Sequence, residues 1–148
     1  MTSGMDEQPN TGGSAIFFSR TYDEALRLVV EAREYLLGPG SMAVKKLSHE
    51  ASFLYATESL RLTTRLTECM SWLMFQRAVI EGEITAEEAQ ADECHLQYQK
   101  TCLPDDINGD IEILPPGLIS LLERSELLYK RILRLDNQAI ESFRQAKL

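Results

Sequence analysis

The sequence predicts an all-α fold: an antiparallel three-helix bundle with one very long central helix and a short extra helix in the connector. Three observations predict it. From Ala43 to Glu81 the chain has no Gly or Pro, and Leu47, Ala51, Leu54, Tyr55, Leu62, Leu66, Cys69, Leu73 and Ile80 recur at three- and four-residue steps, a helical period rather than a strand's alternation. From Leu118 onward, Leu121, Ser125, Leu128, Ile132, Leu135, Ala139 and Ser142 alternate steps of three and four, which is heptad spacing. Thr-x-x-Glu capping signals stand at Thr21–Glu24 and Thr85–Glu88, each marking a helix start.

The elements follow in order. Met1–Ser14 is polar and rich in Gly, Ser and Thr, and reads as a disordered tail ahead of a single helical domain over 15–148. Ile16, Phe17 and Phe18 form an apolar cluster that docks on the body. Thr21 caps a first helix that runs to Leu37, where Gly38-Pro39-Gly40 stops it. Ser41 then caps the long helix, which at 1.5 Å per residue would extend roughly 58 Å. Its middle is polar, with Glu58, Arg61, Thr64, Arg65 and Glu68. The Glu58/Arg61 and Arg65/Glu68 spacings of three let opposite charges meet. These groups serve either as a recognition face or as a buried network that fixes helix register.

Beyond Met70 the helix is apolar nearly all round, with Trp72, Leu73, Met74, Phe75, Val79 and Ile80. Such a helix has to be covered on every side, and Trp72, Met74 and Phe75 are the expected dimer contacts. Gly82 breaks the pattern. A shorter, loosely held helix is expected over Ala86–Gln99, with only Ala89, Cys94, Leu96 and Tyr98 apolar. Turn chemistry follows at Pro104-Asp105-Asp106 and Asn108-Gly109-Asp110, and Ile107, Ile111, Ile113 and Leu114 could anchor this loop. Pro115-Pro116-Gly117 opens the last helix, Leu118–Ala146, the natural partner of the long one.

Charge divides the chain sharply. The net charge of −8 is concentrated in residues 81–114, which carry ten acids against Lys100 alone. Nothing here resembles the basic face of a nucleic-acid binder. Three cysteines at irregular spacing imply no disulfide framework, and a reducing cytoplasm is the expected location. No apolar run is long enough to span a membrane. Cys94-His95 with Cys102 lacks a fourth metal ligand at any standard spacing. No phosphate loop, nucleophile elbow or zinc-protease motif is present. No enzyme, cofactor or metal is therefore expected, and a binding role remains.

The run Tyr55-Ala56-Thr57-Glu58-Ser59-Leu60-Arg61-Leu62-Thr63-Thr64-Arg65-Leu66 carries a family resemblance. Ser71-Trp72-Leu73, Gln76-Arg77-Ala78-Val79, Gly82-Glu83-Ile84-Thr85 and Leu127-Leu128-Tyr129-Lys130-Arg131-Ile132 extend it. Together they resemble the alphaproteobacterial regulator of CtrA degradation (RcdA) family, also catalogued as a domain of unknown function. The resemblance implies a homodimeric helical bundle without catalytic activity. It also implies an adaptor that helps deliver cell-cycle regulators to the ClpXP protease, together with a response-regulator partner. Some relatives continue past the last helix, whereas this sequence ends at Leu148. A rival reading is a ligand-responsive helical regulator with a small molecule held in a core cavity lined by Met70, Met74 and Phe75.

Overall fold

A computed structural model describes residues 11–105 and 109–147, and all of the regular structure in them is helical. The elements are α1 (Thr11–Leu37), α2 (Pro39–Val44), α3 (His49–Ile80), α4 (Gln99–Cys102) and α5 (Pro116–Ala146), with three single-turn 3₁₀ segments between Glu88 and Ile113. The first ten residues of the expected tail lie outside the described residues, as does Ile107.

Helix α1 begins at Thr11, upstream of the expected cap at Thr21. Thr21 lies inside it, buried, with its hydroxyl donating to the Phe17 carbonyl at 3.0 Å. A threonine inside a helix can return its hydroxyl to the i−4 carbonyl as readily as it can cap at a helix start. Ile16–Phe18 thus lie within the helix; Phe18 packs on the core as expected, whereas Ile16 and Phe17 are exposed.

The long central helix is broken where continuity was expected. Ser48, in an extended conformation, accepts the Ala51 amide at 3.1 Å and caps α3. A serine that satisfies one of the four orphan amides makes a helix start there more favourable than a helix running through. Ser41 lies inside α2 and donates to the Gly38 carbonyl at 2.9 Å.

Three helices share one core, in which Leu62, Leu73, Leu118, Leu121, Leu128, Tyr129 and Ile132 are essentially inaccessible. Their directions follow from who meets whom. Glu31 pairs with Arg124 and Glu24 with Arg131, each at 2.7 Å, so α1 and α5 are antiparallel. Phe18 and Leu73 line one surface pocket and Leu36 and Leu62 line another, so α1 and α3 are antiparallel as well. Arg65 reaches Leu122 and Ser125, however, whereas Trp72 reaches Asp136. Helices α3 and α5 therefore run parallel. An antiparallel up-down-up bundle would set α5 antiparallel to α3 and parallel to α1; the structure has the reverse, and only the α1/α3 pairing is as expected.

The reason lies in the connector. A parallel neighbour demands a crossover as long as the helix itself, and residues 81–115 supply it by travelling back along α3. His95 and Leu96 sit at Asp136, Gln97 at Glu68, Cys102 at Arg65 and Thr101 at Arg61. A Cβ added at Gly109 would come within 3.1 Å of Leu54. The expected helix over Ala86–Gln99 does not form. Its capping box does, with the Glu88 amide donating to the Thr85 hydroxyl at 3.0 Å, but two 3₁₀ turns and an extended stretch follow. The amides of Leu96 and Gln97 go instead to carboxylates on α5 and α3, an alternative that a helix would forgo. Ala89, Cys94, Leu96, Cys102 and Leu114 are buried, so the connector is firmly held rather than loose. Tyr98 is exposed and takes a left-handed backbone where the chain turns into α4.

At the opposite end the Tyr35 ring is clamped between glycines. A Cβ at Gly117 would overlap the ring, and one at Gly40 would overlap the Tyr55 hydroxyl and come 2.8 Å from the ring. Gly117→Ala is expected to lower stability by about 1–3 kcal/mol through overpacking, read as a lower urea midpoint with an unchanged m-value. An unchanged midpoint would mean that Tyr35 can vacate the clamp.

Candidate functional site: the polar seam and the α1/α3 groove

Because one face of α3 packs against an extended connector, it must satisfy backbone groups that no helix satisfies for itself. Its mid-helix polar residues do this. Arg65, 5% exposed, donates from Nε to the Cys102 carbonyl at 2.7 Å, and from one terminal nitrogen to the Leu122 carbonyl at 3.1 Å and the Ser125 hydroxyl at 3.3 Å. It thereby ties α3 to the connector and to α5 at once. Burial pulls its pKa below the usual arginine value, and Glu126 pulls it back up. Arg61 donates to the Thr101 carbonyl at 2.9 Å and pairs with Glu58, which is 2% exposed. The Arg65/Glu68 pairing allowed by spacing does not form, because Glu68 accepts the Gln97 amide at 2.7 Å. Thr64 takes no part. It is half-buried and returns its hydroxyl to the Leu60 carbonyl.

A second junction lies two turns further along. Asp136 on α5, 3% exposed, accepts the Trp72 indole at 2.9 Å and His95 Nδ1 at 2.8 Å on one oxygen, and the Leu96 amide at 3.1 Å on the other. His95 Nε2 lies 3.1 Å from the Gln90 carbonyl. Neither Asp136 nor His95 stands out as a site in the sequence. The available signal was an acid four residues after Ile132, on the stripe that α5 buries.

The expected dimer contacts are separated by this geometry. Trp72 is 7% exposed and spent on Asp136, Phe75 is half-buried, and Met74 is 59% exposed. Met70 and Met74 line an open groove of about 450 Å³ between α1 and α3, and Phe75 is not part of it. The core cavity of the rival reading is thus a surface groove, and it lacks the aromatic residue.

Cys69 and Cys102 are wholly buried. Burial pushes the Cys69 thiol up to about 12 and raises that of Cys102, the setting of inert structural thiols. Among the described residues no three His, Cys, Asp or Glu side chains are grouped to hold a metal ion, and no helix is long and apolar enough to cross a membrane.

Comparison with known proteins places this arrangement. The family described as "Protein of unknown function (DUF1465)" matches residues 11–148. No curated protein matches the chain. The crystal structure of RcdA from Caulobacter crescentus CB15 is similar, with 44% sequence identity and a TM-score of 0.68, over 82% of this chain and 89% of that one. With that identity over most of both chains, and with the family match spanning all but the first ten residues, the chain belongs to the RcdA family of helical proteins, described as proteins of unknown function (DUF1465).

Proposed function

We propose that this protein is a non-enzymatic adaptor of regulated proteolysis. It helps deliver cell-cycle regulatory proteins to ClpXP alongside a response-regulator partner, and it does so in the cytoplasm as a homodimer. The observation that carries this reading is the 44% identity to RcdA over 89% of that chain. The geometry supports it in two ways. The charged groups of the seam are consumed by internal bonds, so Glu58, Arg61 and Arg65 set the register of the three-helix body rather than recognise cargo. The outer face of α3 instead exposes Phe53 (76%), Leu60 (70%) and Met74 (59%) to solvent, apolar surface of the kind that binds other proteins. An adaptor needs no chemistry, because holding cargo near the protease raises its effective concentration. Phe75 is the proposed contact to a second copy, Met74 belongs to the groove between α1 and α3, and Trp72 drops out because it is enclosed.

The test is a pull-down. Immobilised ClpX with its response regulator is expected to retain this protein, and light scattering at micromolar concentration is expected to report a dimer. Failure of retention with both partners present would overturn the adaptor reading, and a strict monomer would overturn the dimer.

A further inference from the structure

The groove between α1 and α3 contains one charge. Arg33 is exposed and makes no ion pair among the described residues. Its helical neighbours at three and four residues on either side are Val29, Val30, Leu36 and Leu37, so no acid on its own helix can reach it. Across the groove α3 presents a lining that runs from Leu62 to Met74, again without a carboxylate. The apolar surface continues past the groove onto both shoulders, with Leu26 and Val30 each 44% exposed, Leu37 71% and Leu60 70%. The connector closes the α3/α5 side of the body and leaves this side open.

We infer that this groove docks an amphipathic helix of a partner protein, one whose apolar face carries a single acidic residue placed to meet Arg33. Two antiparallel helices with an apolar furrow between them form the receiving half of a four-helix arrangement, and a fourth helix fills such a furrow with residues at i, i+3, i+4 and i+7. The isolated guanidinium fixes the register of that helix and its sign of charge. A second copy of this chain fits less well. Twofold pairing of groove on groove leaves Arg33 without a counter-charge, because neither lining holds a carboxylate.

The experiment uses the full chain and two fluorescein-labelled helical peptides of about four turns. Both carry leucines at i, i+3, i+4 and i+7, and they differ only in a central Glu or Lys on the apolar face. Fluorescence anisotropy is expected to show saturable binding of the Glu peptide, about tenfold tighter than the Lys peptide, the change that one favourable ion pair of about 1.4 kcal/mol produces. Arg33→Glu is expected to reverse the preference, and Leu60→Asp to weaken both peptides. Both positions are exposed, and circular dichroism confirms that each variant is folded. No saturable binding, or a preference that survives Arg33→Glu, would overturn the inference. So would a Leu60→Asp variant that binds normally, or one that converts a dimer into monomers and thereby assigns the groove to a second copy. No protease component is present in this assay, so its outcome is independent of the ClpX pull-down.

Discussion

Arg65→Ala is expected to destabilise the protein by about 3–5 kcal/mol, a large share of the 5–15 kcal/mol that holds an ordinary domain together. The side chain is almost fully enclosed and donates to acceptors on two other segments. Those acceptors do not lose equally. The Leu122 carbonyl keeps its bond from the Ser125 hydroxyl at 3.0 Å, whereas the Cys102 carbonyl loses the partner that holds it to α3. A buried acceptor left unmade costs about 1–3 kcal/mol, and the lost packing of the arginine stem adds to that. The effect therefore has a location. Hydrogen exchange is expected to accelerate first across residues 95–103, ahead of the helix cores, because the connector gives way before the body. Arg65→Lys is not expected to rescue, since a single ammonium cannot reproduce the fork that spans connector and α5. An unfolding free energy within about 1 kcal/mol of the parent, or exchange that rises evenly over α3 and α5, would show that Arg65 is not the tie.

How much of this was legible in the sequence depends on what each residue had to compete with. The all-helical class and the last helix were legible because heptad spacing from Leu118 to Ile132 is satisfied by burial of those same positions. The family was legible from the Tyr55–Leu66 run. The break before α3 was not, because Ser48 looks like any polar residue on a helix surface until its side chain is seen on the Ala51 amide. The parallel pairing of α3 and α5 was hidden for a different reason. Chain direction depends on where the connector travels, and the connector is held through its backbone, at Leu96, Gln97, Thr101 and Cys102. Backbone groups carry no sequence signature. The same fact explains the seam. Glu58, Arg61 and Arg65 could be picked out as polar residues on an otherwise apolar helix, and the Glu58–Arg61 pair was legible from its spacing, but the acceptors that tie Arg61 and Arg65 to the connector are carbonyls. Thr64, picked out with them, turned out to bond only its own helix.

Asp136→Asn is expected to cost about 2–4 kcal/mol and to change the emission of the single tryptophan. The carboxylate is a pure acceptor. It receives the Trp72 indole and His95 on one oxygen and the Leu96 amide on the other. An asparagine has one acceptor oxygen, so its amino group must face either the Leu96 amide or the Trp72 and His95 donors, and in both orientations a donor meets a donor. The relief available is limited, because Trp72 and Leu96 are enclosed and only the His95 edge approaches solvent, with 18% of its side chain accessible. His95→Gln is therefore expected to cost less than Asp136→Asn. Trp72 is the only tryptophan in the chain, so its emission reports this junction without interference, and a shift to longer wavelength on Asp136→Asn would follow from water reaching the indole. Trp72→Phe removes the donor while keeping most of the apolar volume, so the pair can be examined in a double-mutant cycle. A coupling of about 1–3 kcal/mol between Trp72→Phe and Asp136→Asn is expected for one charge-assisted bond inside the protein. If the two substitutions add without coupling, Asp136 holds the connector through Leu96 and His95 alone. The indole would then be fixed by packing rather than by the carboxylate.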